Sequence, residues 1–251
     1  MIRLDAAQFI SDLHLSSGRP DILRRFLRFM HGPALESGAL FVLGDLFEYW
    51  PGDDLLDQDS VDGDCARTVL MAFSKFTTSR RSLYLLRGNR DFLLGGRFFQ
   101  ATGSSLLEDG ILAAISNHAV ELLHGDALCT DDDAYQKFKR IVRSNEWREG
   151  FLAKSLAERH AAMARMREES EQAKSGNAPV AMDVNPDAVL AEFARTGADM
   201  MVHGHTHRPA RHHHKLPGRT AMRWVLPAWY ESGGYLTIDT TGARPGSLSD
   251  S

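Results

Sequence analysis

The stretch Phe9-Ile10-Ser11-Asp12-Leu13-His14 decides the fold, because it joins a short apolar run to an aspartate and a histidine. The same arrangement, an apolar run followed by a polar cluster, recurs four times along the chain. The recurrences are residues 40–43 before Gly44-Asp45, residues 83–86 before Gly88-Asn89-Arg90-Asp91, residues 120–123 before His124-Gly125-Asp126, and residues 200–202 before His203-Gly204-His205. Continuous apolar runs of this length are typical of buried strands. The sequence therefore predicts five buried strands, each followed directly by polar side chains.

The segments between these strands indicate the fold class. Residues 20–30 and 64–76 have helical patterns, so the first part of the chain alternates between strand and helix. This alternation predicts an α/β fold with parallel strands. Three further strands are predicted: residues 111–115, 222–226 and 235–238. The first of them should form an antiparallel hairpin with residues 119–123, the strand that precedes His124. We therefore expect an α/β protein in which two sheets pack together and helices lie outside.

Composition limits the class of protein. The 251 residues are 43% apolar, which is enough for the core of one domain. The net charge of −4 argues against a general attraction to nucleic acid or acidic membranes. The sequence has no apolar run of about 18 residues and no signal-peptide pattern at its N-terminus. Cys65 and Cys129 are expected to be reduced thiols, so we expect a cytoplasmic protein whose only membrane contact is peripheral.

Residues 131–184 differ in composition from the rest of the chain. They are rich in Ala, Arg, Glu, Lys and Met at helical spacing, and residues 137–167 hold nine Lys or Arg against three Asp or Glu. One interpretation is a solvated helical face, which is the usual role of such a run. The other is a helical insertion within a single domain of residues 1–251, forming a lid over the active site that meets an anionic or membrane-bound substrate.

Polar side chains at the ends of the predicted strands form a candidate metal site. Ligands of open α/β sheets bind outside the carboxyl ends of the strands, so these side chains should meet. The predicted metal ligands are Asp12, His14, Asp45, Asn89, His124, His203 and His205. Carboxylate, amide and imidazole groups without a thiolate favour Mn, Fe, Zn or Mg.

Two cations about 3.5–4 Å apart need a bridging carboxylate, and Asp45 can supply it. Asp12, His14 and one C-terminal histidine would hold one cation. Asn89, His124 and the other C-terminal histidine would hold the second. We expect water activated by the cations to attack phosphorus in line. The residues predicted to be catalytic are Asp45, Asn89, Arg90 and His124.

Other polar groups near these motifs are given different roles. Arg90 can pair with phosphate oxygens in a planar fork, although it could instead cap a turn. His207 is expected to have a supporting role through a hydrogen bond to an aspartate or the backbone. His212-His213-His214 is expected to be an exposed loop, with metal scavenging as a minor alternative. The acidic residues Asp53, Asp54, Asp57, Asp59, Asp62 and Asp64 are expected to form a loop without ligands.

Together the polar clusters resemble those of the calcineurin-like metallophosphoesterases. The matching motifs are Asp12-Leu13-His14, Gly44-Asp45, Gly88-Asn89-Arg90-Asp91, His124-Gly125-Asp126 and Gly204-His205-Thr206-His207. Any one of these motifs is weak evidence, but five in order at strand ends are strong evidence. The resemblance implies a four-layer α/β/β/α sandwich with a di-metal site.

A narrower resemblance is to the UDP-2,3-diacylglucosamine hydrolases within that family. It adds the motifs Gly44-Asp45-Leu46-Phe47-Glu48, Gly52-Asp53-Asp54, Arg90-Asp91-Phe92-Leu93-Leu94-Gly95, Leu128-Cys129-Thr130-Asp131-Asp132, Met182-Asp183-Val184-Asn185 and His205-Thr206-His207-Arg208-Pro209. It implies cleavage of UDP-2,3-diacylglucosamine at the α-phosphorus, giving UMP and 2,3-diacylglucosamine 1-phosphate (lipid X) in lipid A biosynthesis. It also implies two Mn²⁺, with Mg²⁺ or another divalent metal as alternatives, and a peripheral location on the cytoplasmic face of the inner membrane.

The narrower resemblance also implies substrate contacts. By position these fall on Asn89, Arg90, Asp132, Ser170, Lys174, Asn177 and His203. The family often has Asn where Lys174 stands and Lys where Asn177 stands, so in this chain the positively charged side chain lies three residues earlier. The acyl chains of the substrate would bind to apolar side chains of the insertion. About half of the apolar side chains there are expected to pack on the protein core and not to contact the substrate. The candidates are Phe138, Ile141, Val142, Trp147, Phe151, Leu152, Leu156, Met163 and Met166.

Other functions fit the same motifs. One alternative is another metal-dependent phosphodiesterase, a nucleotide phosphatase or a protein phosphatase of the same fold. A second is a non-catalytic scaffold of that fold, which would predict eroded ligands. A nuclease is disfavoured by the acidic balance and by the lack of a basic groove with interleaved aromatic residues. The oligomeric state is not specified by the sequence.

Overall fold

The computed structural model describes residues 1–175, 183–230 and 233–248, with side chains in the first range as far as Glu168. In these ranges the chain forms twelve strands and seven helices. The strands are β1 Arg3–Leu4, β2 Ala7–Ile10, β3 Ala39–Leu43, β4 Ser82–Leu86, β5 Ser105–Leu106, β6 Ile111–Ile115, β7 His118–Leu122, β8 Met200–His203, β9 Ala210–Leu216, β10 Arg219–Val225, β11 Gly234–Asp239 and β12 Gly242–Ser247. The helices are α1 Pro20–His31, α2 Val61–Thr78, α3 Gly96–Thr102, α4 Asp133–Val142, α5 Asn145–Leu152, α6 Leu156–Ser175 and α7 Pro186–Thr196.

The strands form two mixed sheets of six strands each. Sheet 1 has the order β12-β11-β2-β3-β4-β5, and sheet 2 has the order β1-β6-β7-β8-β10-β9. In sheet 1, β2, β3, β4 and β5 are parallel, as the alternation of strands and helices predicts. In sheet 2, β6 and β7 form the predicted antiparallel hairpin, with Ala113 opposite Val120.

The two sheets pack face to face, and helices cover their outer faces. Phe9 of sheet 1 and Val202 of sheet 2 belong to the core between the sheets. On the outer face of sheet 1, Val42 shares a second core with side chains of α1, α2 and α3. On the outer face of sheet 2, Met201 shares a third core with Phe193 of α7. The predicted four-layer α/β/β/α architecture is confirmed.

This layering explains why the strand segments are apolar at consecutive positions. Side chains alternate along a strand between the two faces of a sheet. Phe9 therefore faces the core between the sheets, and its neighbour Ile10 faces the helices. In β8, Val202 faces the core between the sheets and Met201 faces α7. Both faces of these strands are buried, so both sets of positions are apolar.

Three of the helices lie between β7 and α7. α4, α5 and α6 follow one another from Asp133 to Ser175. α6 is held to the rest of the chain by Arg159, which is almost completely buried, pairs with Asp54 and donates a hydrogen bond to the carbonyl of Pro51 at 2.7 Å. Among the described helices, none has both the length and the apolar character needed to cross a membrane.

The prediction of an exposed loop at His212-His213-His214 is wrong, because these residues lie within β9 at the edge of sheet 2. Exposure alternates along β9, and His213 is exposed while its two neighbours are half-buried. The sequence pattern missed this strand because polar residues on both faces give no apolar alternation. Charged residues on an edge strand oppose pairing with further chains, which explains the composition of β9.

The acidic segment predicted as a loop contains the short 3-10 helix Asp53–Asp57. Asp53 accepts hydrogen bonds from the indole N–H of Trp50 and the backbone N–H of Gly95, both at 2.9 Å. Asp57 forms a bidentate pair with Arg97 at 2.7 and 2.8 Å. These carboxylates therefore join the 3-10 helix to the start of α3.

Candidate metal centre

The segments that follow β2, β3, β4, β7 and β8 meet at one edge of the two sheets. The N–H of His14 donates a hydrogen bond to the carbonyl of Asp45 at 3.0 Å, so the segments after β2 and β3 run side by side. The N–H of His205 donates to the carboxylate of Asp12 at 2.9 Å and brings in the segment after β8. Polar side chains from distant parts of the chain therefore face one small volume.

One group of candidate ligands consists of Asp12, His14 and His207, whose ligand atoms all lie within 4.8 Å of one another. His207 Nε2 is 3.4 Å from Asp12 Oδ1 and 3.3 Å from His14 Nε2. Asp12 and His14 are buried, and His207 is about one-third exposed. A carboxylate and two imidazoles converging in this way could hold one divalent cation.

A second group surrounds Asn89 Oδ1. This oxygen is 3.0 Å from His124 Nε2 and 2.9 Å from His205 Nδ1. Asp12, Asp45 and His124 also place three ligand atoms within 4.8 Å of one another. Asp45 lies between the two groups, since its Oδ2 is 3.8 Å from His14 Nε2 and its Oδ1 is 3.7 Å from His124 Nε2. One carboxylate therefore faces both groups, as a bridging ligand must.

The backbone at the site is strained. Positive φ angles occur at Asp12 (54°), His14 (51°), Asp45 (51°), His205 (69°) and His207 (55°). They are five of the seven non-glycine residues with positive φ in the described part of the chain. Each such residue costs on the order of 1–3 kcal/mol, and such strain concentrates at functional sites. Aspartate and histidine tolerate this conformation better than most side chains, which suits them to sharp turns directly after strands.

Two glycines leave room for the carboxylates. A Cβ atom at Gly88 would lie 2.1 Å from Asp45 Oδ1, and one at Gly204 would lie 2.0 Å from Asp12 Oδ2. Both distances are far below any non-bonded contact, so every other residue at these positions would displace a candidate ligand. The glycines beside the predicted ligands are therefore required by the close approach of the backbone to those ligands.

Charges at the site shift the pKa values of its members. Burial lowers the pKa of His124, but the carboxylates of Asp45, Asp126 and Asp12 raise it to about 9. Burial raises the pKa of Asp12, but a hydrogen bond from His207 and the charge of His124 hold it well below its ordinary range. The neighbouring carboxylates therefore favour the protonated form of the His124 imidazole.

Metal binding should weaken as the pH falls below about 9, the pKa of His124 in the metal-free protein. A cation needs the lone pair of the imidazole, so His124 must release its proton. Below this pKa the affinity should fall by about tenfold per pH unit from this residue alone. Calorimetric titration of the metal-free protein with Mn²⁺ at several pH values, in buffers of different ionisation enthalpy, measures both the affinity and the released proton. An affinity independent of pH, with no proton released, would contradict this role of His124.

Hydrogen bonds orient the imidazoles. His124 Nδ1 lies 2.8 Å from the carbonyl oxygen of Leu43, so Nδ1–H donates and Nε2 remains available to a cation. Glu48 Oε2 lies 3.1 Å from His14 Nδ1, which similarly leaves Nε2 of His14 facing the site. The ring of His14 stacks on Tyr230 with centroids 4.8 Å apart. Both rings are therefore held with Nε2 directed at the candidate cations.

His203, predicted as a metal ligand and a substrate contact, does not face the site. It is completely buried, its Nδ1 lies 2.8 Å from the carbonyl oxygen of Gly204, and its Nε2 lies 2.9 Å from Nη1 of Arg223. Burial and the charge of Arg223 lower its pKa to about 3. Both ring nitrogens are occupied, so the assignment of His203 as a ligand is corrected.

The physical reason is the direction of the chain at the end of β8. The prediction assumed that the chain remains extended through Gly204, so that residues two apart point the same way. His203 is the last residue of the strand and shares its face with Met201, toward α7. Beyond it the backbone turns at His205 and His207, both with positive φ, and directs these two side chains to the site. His207, predicted to have only a supporting role, takes the place intended for His203.

The remaining predicted substrate contacts are only partly placed. Asn89 lies at the site, and the N–H of Arg90 donates to Asp45 Oδ1 at 2.8 Å. Asp132 is the N-cap of α4 and accepts a hydrogen bond from the N–H of Tyr135 at 2.9 Å. Ser170 and Lys174 belong to α6, but their side chains lie outside the described ones, and Asn177 lies outside the described residues.

Asp91 supports the site, although the sequence pattern gave it no role. It is completely buried, and its carboxylate accepts hydrogen bonds from the N–H of Leu46 and the N–H of Gly88, both at 2.8 Å. Burial and the neighbouring Asp45 raise its pKa to about 6. Asp91 joins the segments after β3 and β4, and it thereby places Asp45 beside Asn89. Its only sequence signal is its position in the motif Gly88-Asn89-Arg90-Asp91.

Asp126 supports the site from the side of α4. Its carboxylate accepts hydrogen bonds from the hydroxyl of Tyr135 at 2.6 Å and from Nζ of Lys139 at 2.8 Å. Because Asp126 follows His124 by two residues, these contacts link a candidate ligand to the first helix after β7. The sequence shows Asp126 in a motif, but its partners lie on a helix that the motif does not include.

These residues fit a pair of divalent cations. The donors are carboxylates, an amide oxygen and imidazoles, which suit Mn²⁺, Fe²⁺, Zn²⁺ or Mg²⁺. One carboxylate lies between two groups of ligands, and glycines leave space where the carboxylates approach the backbone. The corrected candidate ligands are Asp12, His14, Asp45, Asn89, His124, His205 and His207.

Comparison with known proteins identifies relatives of the chain. A model of the calcineurin-like phosphoesterase family matches residues 9–209. A protein of Aromatoleum aromaticum named UDP-2,3-diacylglucosamine hydrolase is 45% identical over 237 residues, which cover 94% of this chain and 94% of the relative. Proteins with the same name are 41% identical in Chromohalobacter salexigens, covering 90% of this chain and 89% of the relative, and 41% identical in Bordetella pertussis, covering 93% and 92%. The family match contains every corrected candidate ligand.

Proposed function

The chain belongs to the calcineurin-like phosphoesterase family and is a metal-dependent hydrolase, and from this premise we propose that its substrate is UDP-2,3-diacylglucosamine. The products would be UMP and 2,3-diacylglucosamine 1-phosphate (lipid X), an intermediate of lipid A biosynthesis. The observation that carries the proposal is the name shared by relatives that are 40–45% identical over nearly the whole chain. Four features of the structure support it: the metal centre, an arginine beside it, the adjoining helices, and their exposed apolar side chains.

We assign the ligands by the two groups around Asp45. Asp12, His14 and His207 would hold one cation, and Asp45 would bridge it to the second. The second cation would be held by Asn89, His124 and His205. We propose Mn²⁺ as the physiological metal, since this mixture of oxygen and imidazole donors suits it. Such a pair lowers the pKa of bound water and neutralises charge on the phosphate.

The residues around the cations suit cleavage between two phosphates. Arg90 acts electrostatically on Glu48 and Tyr230, and both of these residues contact His14. We propose that its guanidinium pairs with phosphate oxygens of the substrate and orients the α-phosphorus for in-line attack. The group that leaves is itself a phosphate, which is stable as an anion, so no strong acid is needed to protonate it.

We propose that residues 131–184 form a lid over this site. The contacts of this segment reach the ligand loops: Arg143 donates to the carbonyl of Gly88 at 3.0 Å, and Arg167 lies 3.1 Å from Glu48. Its apolar side chains divide into two sets. Val142, Phe151 and Met163 are buried in the core beside sheet 1, and Trp147 and Met166 pack against that core. Phe138, Ile141 and Leu152 are 40%, 58% and 40% exposed. The exposed set is available to acyl chains.

We further propose a peripheral position on the cytoplasmic face of the inner membrane. Phe138 and Ile141 lie three residues apart on α4, so they share a face of the helix. Lys137 and Arg140 are exposed beside them. Each basic residue near an anionic surface contributes roughly 1 kcal/mol to binding, and the apolar side chains add to it.

The double variant Phe138→Ser/Ile141→Ser should bind anionic vesicles at least about tenfold more weakly than the native protein, because two apolar side chains no longer enter the interface. Co-sedimentation with vesicles containing phosphatidylglycerol measures this. Leu190→Ser on α7 is the matched control, because Leu190 is 38% exposed but does not belong to the proposed membrane face on α4. Equal binding by all three proteins would contradict the proposed membrane face.

Measurement of UMP release from UDP-2,3-diacylglucosamine tests the proposed function. Protein loaded with Mn²⁺ should release UMP and 2,3-diacylglucosamine 1-phosphate in equal amounts, and a chelator should abolish the reaction. In ¹⁸O-labelled water the label should enter UMP, since attack occurs at the α-phosphorus. Hydrolysis of a simple phosphodiester without hydrolysis of this substrate would refute the substrate while leaving the hydrolase intact.

A further inference from the structure

His203 ends β8 with both ring nitrogens hydrogen-bonded. Nε2 lies 2.9 Å from Nη1 of Arg223, and Nδ1 lies 2.8 Å from the carbonyl oxygen of Gly204. A guanidinium can only donate, so Nε2 accepts. The proton of the neutral ring is then on Nδ1, which donates to Gly204. The contact with Arg223 therefore selects the form of His203 that can hold the Gly204 carbonyl.

The peptide groups of Gly204 are the centre of the turn that leads to the ligands. Its N–H donates to the carbonyl of His124 at 2.9 Å. Its carbonyl accepts the N–H of Thr206 at 2.8 Å as well as Nδ1–H of His203. A carbonyl oxygen has two lone pairs, so both are used. These bonds fix the direction in which His205 leaves the strand.

Arg223 is a buried charged residue at a position where an apolar side chain could also pack. It is 6% exposed in β10, on the face where Ala221 joins the apolar core against α7. A buried guanidinium costs free energy, and an apolar side chain of similar volume would often be as stable. Asp183 acts on it electrostatically, and Nη1 of its guanidinium donates a hydrogen bond to Nε2 of His203 at 2.9 Å. This placement suits a role at the neighbouring site rather than in packing.

We propose that Arg223 and His203 are positioning residues that hold the Gly204 turn and thereby set the metal-binding geometry of His205 and His207. The proposal rests on the metal centre of the proposed function but not on the identity of the substrate. Arg223 orients His203, and His203 fixes the carbonyl of Gly204. His205 and His207 then reach the site with positive φ angles of 69° and 55°.

Mn²⁺ binding to the metal-free protein tests the role of Arg223. Arg223→Met keeps a long apolar side chain and removes the donor, and it should weaken Mn²⁺ binding by about 10–100-fold, the usual effect of losing a group that orients a ligand. Electron paramagnetic resonance of free Mn²⁺ measures the affinity and the number of bound ions. The matched control is Arg219→Met. Arg219 lies on the same strand and donates to the carbonyls of Ala198 and Phe193 at 2.6 and 3.3 Å, away from His203.

Two variants of His203 separate its hydrogen bonds. In His203→Asn the amide N–H can take the place of Nδ1–H, so the bond to Gly204 and most of the Mn²⁺ affinity should be retained. In His203→Gln the amide oxygen can take the place of Nε2, so the bond to Gly204 should be lost, and the affinity with it. Arg223→Lys keeps a donor and should bind Mn²⁺ more tightly than Arg223→Met. These variants retain polar groups and provide the test if Arg223→Met does not fold.

Several results would overturn the proposal. One is native Mn²⁺ affinity in both Arg223→Met and His203→Gln. Another is an equal loss of affinity in Arg219→Met, because the effect would then reflect general destabilisation of sheet 2. A third is equal affinity of His203→Asn and His203→Gln. Because the probe is Mn²⁺ alone, an incorrect substrate assignment would leave all of these comparisons valid.

Discussion

Asp45→Ala should reduce UMP release by at least about a thousandfold, because the cations supply several kcal/mol of transition-state stabilisation and about 4 kcal/mol corresponds to that factor. Asp45 is 2% exposed, and its two carboxylate oxygens face different groups of ligands, at 3.8 Å from His14 Nε2 and 3.7 Å from His124 Nε2. Alanine leaves both groups without the shared ligand. The fall should appear in kcat at saturating Mn²⁺, and calorimetry should find fewer than two tightly bound ions.

The control for Asp45→Ala is Asp57→Ala. Asp57 is also an aspartate in an ion pair, but its side chain is 59% exposed and its partner Arg97 lies outside the site. Exposed ion pairs contribute little to stability, so this variant should keep both its activity and its Mn²⁺ stoichiometry. Circular dichroism should show that both variants are folded. Activity of Asp45→Ala within about tenfold of the native value, a loss of only about 1.4 kcal/mol, would remove Asp45 from the bridging position.

The sequence predicted the layers of the fold because its signal was local. Phe9 and Ile10 enter different cores, and this requirement makes both positions apolar. The same requirement applies to each strand that is covered by the other sheet on one face and by helices on the other face. β9 escaped prediction because it lies at an edge, where His213 faces solvent and no apolar residue is required. Burial on both faces leaves a pattern in the sequence, and a polar edge strand does not.

The candidate site was predictable to the extent that its ligands directly follow strands. Asp12, Asp45 and His124 were found because the carboxyl end of a strand has a definite position in the sheet. The choice among His203, His205 and His207 depends on where the chain leaves the extended conformation, and spacing does not encode this. Supporting residues were missed for a similar reason: Arg223 contacts His203 from a neighbouring strand, 20 positions further along the chain, and this pairing of strands is not visible in the motif.

His207→Ala provides the sharpest test of the corrected ligand set, because the sequence gave His207 no ligand role. Its Nε2 lies 3.4 Å from Asp12 Oδ1 and 3.3 Å from His14 Nε2, so a shared cation would hold these three groups together. The loss of a supporting group weakens metal binding by about 10–100-fold, and His207→Ala should weaken the binding of this cation by more than that. It should also lower kcat by at least about a hundredfold. The second cation, held by Asn89, His124 and His205, should remain. Titration should therefore find one tight Mn²⁺ instead of two.

His213→Ala is the matched control for His207→Ala, since His213 is an exposed histidine of the neighbouring strand β9. It should bind two Mn²⁺ and keep native activity. His203→Asn gives the second comparison, because it changes the residue that was first predicted as the ligand but keeps the bond to Gly204. Two tight ions in His203→Asn and one in His207→Ala would establish the corrected set. The reverse order would mean that His203 turns toward the cations when they bind, and that the hydrogen bond from Arg223 belongs only to the metal-free protein.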